Sequence, residues 1–223
     1  MIFIYFSGIV PPFAIPNGQL KEPFIMPGRI FTPFPIGGFT IVPEEGSYPP
    51  VSGIPLVMGK KGAFGSGEHE TTRSCLEQLE CLPAIKGKWG LDLGSGTGIL
   101  AIAAVKLGAE SVVALDNDPR AAVSCGRNIG LNGVEDRVSV VCGELSCLKG
   151  RSFDFVLANI YVDVLAKVFV PLVEMVAPGG LLLLSGIPIQ DDSSVHVEFL
   201  RNGCSSLRTL TLDEYLTFLM MKD

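Results

Sequence analysis

Apolar positions beyond residue 70 follow two alternating rhythms, and that alternation predicts an α/β chain. From Glu70 to Cys81 the residues Cys75, Leu76 and Leu79, with Leu82 just beyond, fall on one helical stripe. Trp89 to Leu93 reads as a strand, followed by a glycine turn and a helix from Ile99 to Leu107. Ser111 to Leu115 is a buried strand ending at Asp116. Asp118-Pro119 then opens a helix, with aspartate at the N-cap and proline at the first helical position. Arg137 to Val141 and Phe153 to Ala158 are the third and fourth strands. Val162 to Val176 is helical, and Pro171 is expected to kink or split it. Pro178-Gly179-Gly180 is expected to end that helix before a fifth strand, Leu181 to Ser185. A helix from Ser194 to Asn202 precedes strands at Leu207 to Leu212 and Leu216 to Met221, which are too close in sequence for a crossover and so form an antiparallel hairpin. Near-continuous apolar strands between helices imply a doubly wound, mostly parallel sheet covered on both faces. Such sheets bind ligands at the carboxyl ends of their strands.

The first 60 residues keep neither rhythm. Eleven of the sixteen prolines and seven of the thirteen phenylalanines fall within residues 1–55. Short strands are expected at Ile2 to Phe6 and Phe39 to Val42; otherwise residues 1–60 read as a Pro/Phe-rich irregular arm, with the main domain at 61–223. Exposed Phe24, Phe31 and Phe34 would cost solubility, so the arm is expected to pack on the main domain or on a second subunit of a homo-oligomer. Met1 to Leu20 carries no charge, but Gly8, Pro11, Pro12 and Pro16 interrupt it. It also lacks the positive start and cleavage site of a signal peptide, so no membrane association is expected.

Composition narrows the function classes. A chain of 223 residues that is 48% hydrophobic and 18% charged can bury a sizeable core, which excludes global disorder. The net charge, 17 − 23 = −6, argues against direct nucleic-acid binding through phosphate contacts. Six cysteines without a C-x-x-C spacing, and only two histidines, form no zinc pattern, so no metal is expected. Reduced thiols in a cytoplasmic setting follow from the same cysteines.

Three strings carry candidate chemistry. Leu91-Asp92-Leu93-Gly94-Ser95-Gly96-Thr97-Gly98 lies between a strand and a helix, where glycines permit a tight turn and close ligand approach. Asp116 ends the next strand 22 residues after Gly94, where a carboxylate can accept from both hydroxyls of a ribose. Only Thr97 separates Gly96 from Gly98, whereas a dinucleotide fingerprint has two residues there, which weakens an oxidoreductase reading. Asp92 would repel a pyrophosphate and attract a cationic ligand. Together these features look like those of S-adenosylmethionine-dependent methyltransferases. That likeness places Asn117 and Glu144 at the nucleoside, although Gly143-Glu144-Leu145 also reads as a surface turn.

The second string, Gly62 to Thr72, sets glycines around Phe64 and Ser66 and leads into a helix N-terminus suited to a carboxylate. His69 within it reads equally as a helix cap or as a residue gating the ligand. The third, Leu157-Ala158-Asn159-Ile160, ends the fourth strand. Asn159 offers one acceptor oxygen and two donors, able to hold an amine with its lone pair toward a methyl carbon. Taken alone, Asn159 also reads as a turn residue.

With these strings in hand, the chain resembles the bacterial ribosomal protein L-eleven methyltransferase family over roughly residues 38–223. Ala63 to Thr72, Asp92 to Ala101, Asp116 with Asp118-Pro119, Ala158-Asn159-Ile160 and Pro178 to Gly186 carry the resemblance. It implies a Rossmann-like methyltransferase fold and S-adenosylmethionine as cofactor. It also implies methyl transfer to an amino nitrogen of a protein, a ribosomal protein in that family. The roles it carries over put Thr72, Gly94, Asp116 and Asn159 at the cofactor; Phe64, Asp92, Gly96, Gly98, Asn117 and Glu144 complete the expected cofactor site, and Asn159 is also expected to be catalytic. Ser66 stands where the family has threonine, which keeps the hydroxyl. Family members also carry an N-terminal α/β substrate-recognition domain, which the roughly 40 unlike residues at the start are not expected to form. A small-molecule or different protein acceptor therefore stays open, as does a scaffold that binds cofactor without catalysis.

Overall fold

The computed structural model describes residues 3–4, 32–46, 48–59, 69–82 and 85–223. Their elements in chain order are β1 Phe3–Ile4, β2 Phe34–Ile36, β3 Phe39–Pro43, β4 Ile54–Met58, α1 Glu70–Glu80, β5 Trp89–Leu93, α2 Ile99–Lys106, β6 Ser111–Asp116, α3 Pro119–Asn132, β7 Val138–Cys142, β8 Phe153–Asn159, α4 Val162–Glu174, β9 Val176–Pro188, α5 Asp192–Arg201, β10 Cys204–Leu212 and β11 Tyr215–Lys222. Eight strands form one sheet in the order β1-β7-β6-β5-β8-β9-β11-β10. The five from β7 to β9 are parallel, while β11 runs antiparallel to both β9 and β10. This is the doubly wound sheet with a C-terminal hairpin that the apolar rhythm predicts. Strand order reverses at β5, whose neighbours β6 and β8 lie on opposite sides.

Both faces of the sheet are covered. One core joins α1, α2 and α3 to the sheet through Leu76, Leu79, Ile102 and Ile129, and the other joins α4 and α5 through Leu165, Phe169 and Phe199. Among the described residues, no helix is long and apolar enough to cross a membrane. All six cysteines are free; Cys75 and Cys125 lie in the first core, where burial pushes each thiol up to about 12.

Three stretches depart from the sequence reading. Residues 34–58 are not irregular: β2, β3 and β4 form a separate sheet, β2-β3 antiparallel and β3-β4 parallel. Ile36, Phe39, Ile41, Leu56 and Met58 from this sheet enter the first core. Prolines hid it, yet Pro35 and Pro55 stand on edge strands and Pro43 ends the central one, positions that spare the shared hydrogen bonds. α4 is not split at Pro171, which sits in its last turn, where losing one amide leaves the earlier turns intact. Finally, Pro178-Gly179-Gly180 belongs to β9, not to a helix end. The register with β8 jumps from Phe153↔Val176 to Phe155↔Leu181 across that bulge. A Cβ on Gly180 would stand 2.9 Å from the Asp154 carbonyl oxygen, so the bulge needs glycine there.

The small sheet is tied to α3 by two asparagines one helical turn apart. Asn132 accepts from Val57 N–H (3.0 Å) and donates to the Val57 carbonyl (2.7 Å), pairing with the edge of β4 as a strand would. Asn128 accepts from Gly59 N–H (2.9 Å) and donates to the Thr97 carbonyl (2.8 Å). At the surface, Arg127 meets Glu44 at 2.7 Å. If the small sheet is part of one cooperative core, Leu56→Ala should lower the stability of the whole chain by about 2–5 kcal/mol, the usual cost of a cavity at a buried leucine. Urea unfolding should then shift as a single transition. A separate early transition with an unmoved main one would make the small sheet an independent unit.

Candidate functional site

The strand-order reversal at β5 opens a cleft of about 1420 Å³ along the carboxyl ends of the parallel strands. Its geometry starts from the turn between β5 and α2. Gly94, Gly96 and Gly98 all have positive φ, 70°, 53° and 77°. A side chain at Gly94 would collide with Ile160 Cγ2, and one at Gly98, the N-cap of α2, with Cys125 Sγ. The turn is stitched to its neighbours by Gly94 and Ser95 N–H donating to the Leu115 carbonyl (2.8 and 3.0 Å).

Asp116 closes this arrangement. Its Oδ2 accepts from Gly96 N–H (2.9 Å) and its Oδ1 from Asp118 N–H (2.9 Å), so the carboxylate is fixed between the glycine turn and the start of α3. Each carboxylate oxygen can accept about two hydrogen bonds, which leaves capacity on both for hydroxyls from the cleft. Asp118 caps α3 through Arg120 N–H (2.9 Å), and hydrogen bonding from the Arg120 side chain holds its carboxyl below the usual range.

On the other side of β5, Asn159 ends β8 and donates from Nδ2 to Thr72 Oγ1 (3.3 Å) on α1. Its amide oxygen has no hydrogen-bond partner among the described residues, and Asn159 lines the cleft. Behind it, Ser74, Thr217 and Ser185 form a buried chain of hydroxyls (2.7 and 2.8 Å) that joins α1 to β11 and β9. His69 is the N-cap of α1, its Nδ1 accepting from Thr71 N–H (3.3 Å). It also lines the cleft, edge-on to Tyr215 with ring centres 5.7 Å apart. The capping role and a place in the cleft thus coexist.

Of the residues singled out from sequence, Gly94, Gly96, Asp116, Asn117, Glu144 and Asn159 line the cleft together. Thr72 is buried behind Asn159, and Gly98 lies behind the turn. Phe64 and Ser66 fall outside the described residues. Asp92 differs from its expected part as a direct attraction for a cation. It is 1% exposed, does not line the cleft, and spends Oδ2 on Ala101 N–H (3.1 Å), bracing β5 against α2. Three further residues line the cleft: Thr71, noted in the sequence only for its hydroxyl, and Gly186 and Tyr215, to which the sequence reading gave no role. The last two come from β9 and β11, far along the chain: Gly186 is set beside Asn159 by the parallel pairing of β9 with β8, and Tyr215 by the antiparallel pairing of β11 with β9. Gly186 had a local signal, a glycine at a strand's end, where its φ of 84° brings it against the Ile160 carbonyl.

Burial pushes the Asp92 carboxyl up to about 7; the Ala101 amide opposes this and the charge of Asp116 adds to it. The folded chain therefore binds this proton more tightly than the unfolded one. Unfolding releases it between about pH 4 and 7, so this group's contribution to stability falls as pH rises through that window. Asp92→Asn keeps an acceptor for Ala101 and removes the charge. Relative to wild type, the variant should gain up to about 4 kcal/mol on going from pH 4 to pH 8, measured by urea unfolding without ligand. Parallel pH profiles would show that Asp92 stays ionised throughout.

Known proteins resemble this chain in sequence and in fold. The chain is 43% identical over 175 residues to a ribosomal protein L11 methyltransferase of Geobacter sulfurreducens, covering 78% of this chain and 57% of that protein. It is 36% identical over 186 residues to the one of Anoxybacillus flavithermus, covering 82% and 59%. The chain thus spans a little over half the length of the curated relatives it matches. Among solved structures, a ribosomal protein L11 methylase from Lactobacillus delbrueckii subsp. bulgaricus superposes with a TM-score of 0.79 at 26% identity, over 86% of this chain and 100% of that one. A magnesium protoporphyrin IX methyltransferase from Synechocystis shares the fold, with a TM-score of 0.57 at 17% identity over 67% of this chain and 77% of that one. The family profile described as ribosomal protein L11 methyltransferase (PrmA) matches residues 27–222, and the chain belongs to that family.

Proposed function

We propose that the chain transfers a methyl group from S-adenosylmethionine to an amino nitrogen of a protein, a ribosomal protein in keeping with its relatives' names. The observation that carries this reading is the pairing of Asp116 and Asn159 across the strand-order reversal, one on each side of β5 in one cleft. The residues present fit the cofactor. Asp116 has acceptor capacity for two ribose hydroxyls, Gly94 and Gly96 leave the cleft wall bare of side chains, and Leu115 and Leu145 offer apolar walls for a base. Asn117 and Glu144 lie at that same end of the cleft, where they supply polar contacts to the nucleoside.

When bound, S-adenosylmethionine supplies an electrophilic methyl carbon on a good leaving group, so no nucleophilic side chain is needed. What remains for the protein is alignment. Thr72 accepts one N–H of Asn159 and so fixes the amide plane. The Asn159 carbonyl oxygen then accepts an N–H of the neutral acceptor amine and turns its lone pair toward the methyl carbon. Ile160 and Tyr161 follow directly and wall the mouth of the site against water. In the balanced reaction the nitrogen–carbon bond forms, the sulfur–carbon bond breaks with its electron pair staying on sulfur, and the amine proton leaves to solvent.

The test begins with calorimetry using S-adenosylhomocysteine and proceeds to label transfer from methyl-labelled cofactor onto proteins of a cell lysate. Asp116→Ala should weaken S-adenosylhomocysteine binding by about tenfold or more, since hydrogen bonds to a charged group contribute roughly 1.5–3 kcal/mol. Thermal unfolding of the variant serves as a control for the lost amide contacts. Equal affinity in variant and wild type would reject the ribose assignment.

Asn159→Ala should act differently. Its contact with the acceptor tightens as the nitrogen approaches the methyl carbon, so its loss should lower turnover much more than cofactor affinity. A loss of about 2–4 kcal/mol of barrier stabilisation corresponds to roughly 30- to 1,000-fold slower transfer at saturating cofactor and acceptor. Wild-type turnover in the variant would reduce Asn159 to a strand-end residue.

A further inference from the structure

The cleft is larger than the proposed cofactor needs. At about 1420 Å³ it exceeds the roughly 300–1,000 Å³ of an ordinary small-molecule site. The surplus runs as a groove away from Asn159, between α4 and the segment that follows β7. On the α4 side it is floored by Tyr161, Val164, Val168, Pro171 and Met175, a 3-4-3-4 spacing that sets them on one face of the helix. Tyr161, Val164 and Pro171 are exposed, while Val168 packs partly on the second core and Met175 belongs to it, so the stripe borders Leu165, Phe169 and Leu172 and opens to solvent toward Tyr161. Its upper part is open, with Tyr161 74% and Val164 45% exposed.

Charge distinguishes this groove from the rest of an acidic protein. Lys149, Arg151 and Lys167 line it, against Glu174 on α4 and Glu144 where the segment after β7 leaves the nucleoside end. None of the three cations has an ion pair or side-chain hydrogen bond with a described residue. An apolar seam at helical spacing, edged by unpaired cations, is complementary to a helix with an apolar face and acidic flanks. The seam is also continuous with the site, because Tyr161 follows Asn159-Ile160 at the mouth.

We propose that this groove docks an acidic amphipathic helix of the acceptor protein, holding the acceptor beside the cleft while one of its amines reaches Asn159. The inference rests on the methyl-transfer reading for the partner's identity, but the groove's preference for an acidic amphipathic helix can be measured without turnover. Docking there adds binding energy remote from the reacting atoms, which raises the local concentration of the amine without altering the chemistry.

The experiment uses the full chain and a dye-labelled synthetic peptide of about four helical turns, with leucines at 3-4 spacing and glutamates on both flanks. Fluorescence anisotropy compares it with the same peptide carrying lysines for glutamates and with a scrambled acidic peptide. The acidic amphipathic peptide should bind at least about tenfold tighter than either comparator and weaken as salt is raised. The combined Lys149→Glu, Arg151→Glu and Lys167→Glu variant should lose about tenfold or more, and Val164→Asp a similar amount. Both variants should bind S-adenosylhomocysteine as wild type does.

Equal binding of the three peptides would overturn the proposal. So would stronger binding to dodecyl phosphate than to the peptide, which would make the groove a site for anionic amphiphiles. Concentration-dependent self-association abolished by Val164→Asp would assign it to a second copy of this chain instead. Loss of S-adenosylhomocysteine affinity in the charge-reversed variant would also overturn it, by placing those cations at the nucleoside. If wild type itself fails to bind S-adenosylhomocysteine, the cofactor reading falls while the peptide comparison stays readable.

Discussion

The carboxylate of Asp116 holds the candidate site together. With one oxygen on Gly96 N–H and the other on Asp118 N–H, it joins the glycine turn after β5 to the cap of α3. Both joined segments are ones that favour an anion: a turn of positive-φ glycines whose Gly96 amide points at the carboxylate, and the first turn of a helix. A charged acceptor in that place is worth more than a neutral one, and it leaves the cleft wall with hydrogen-bonding capacity already aimed outward. The turn can therefore be bare of side chains and still keep one shape.

Rigidity reaches the same turn from behind. Asn128, 2% exposed, grips the Thr97 carbonyl with one end of its amide and Gly59 N–H with the other. Asp92 fastens β5 to α2 through Ala101 N–H at the cost of burying a carboxyl against another negative charge. On the far side, the Thr72–Asn159 contact and the Ser74–Thr217–Ser185 chain do for α1 what Asn128 does for α3. Each side of the cleft is thus set by polar groups in buried surroundings, where hydrogen bonds are directional and an unpaired partner is expensive.

The legibility of these features in the sequence follows from how local they are. The Asp118-Pro119 cap, the glycine turn and Asp116 at its 22-residue spacing all act within a few residues of their neighbours, so chain order alone reveals them. Asn159 was readable because strand ends in a doubly wound sheet converge. By contrast, β2 and β4 were obscured because their prolines stand at edge positions, and whether a strand lies at an edge is settled by tertiary pairing. The bulge at Pro178-Gly179-Gly180 misled for a similar reason: a breaker after a helix reads as its end, whereas here it absorbs extra residues inside a strand. Tyr215 reaches the cleft only through the antiparallel pairing of β11 with β9, Gly186 through the parallel pairing of β9 with β8, and Asp92 points inward only because α2 folds back over β5.

Asn132 is followed by Gly133, the dipeptide in which a backbone nitrogen most readily attacks the preceding side-chain amide. The fold occupies both reactants: Gly133 N–H donates to the Gly130 carbonyl (3.2 Å), while the Asn132 amide is engaged with both polar groups of Val57 and with the Asn128 carbonyl (2.8 Å). Cyclisation therefore requires the end of α3 to peel away from β4 first. Deamidation at this pair during storage would act as a slow clock that counts those openings, and its product would carry a negative charge against the very carbonyls the amide once held.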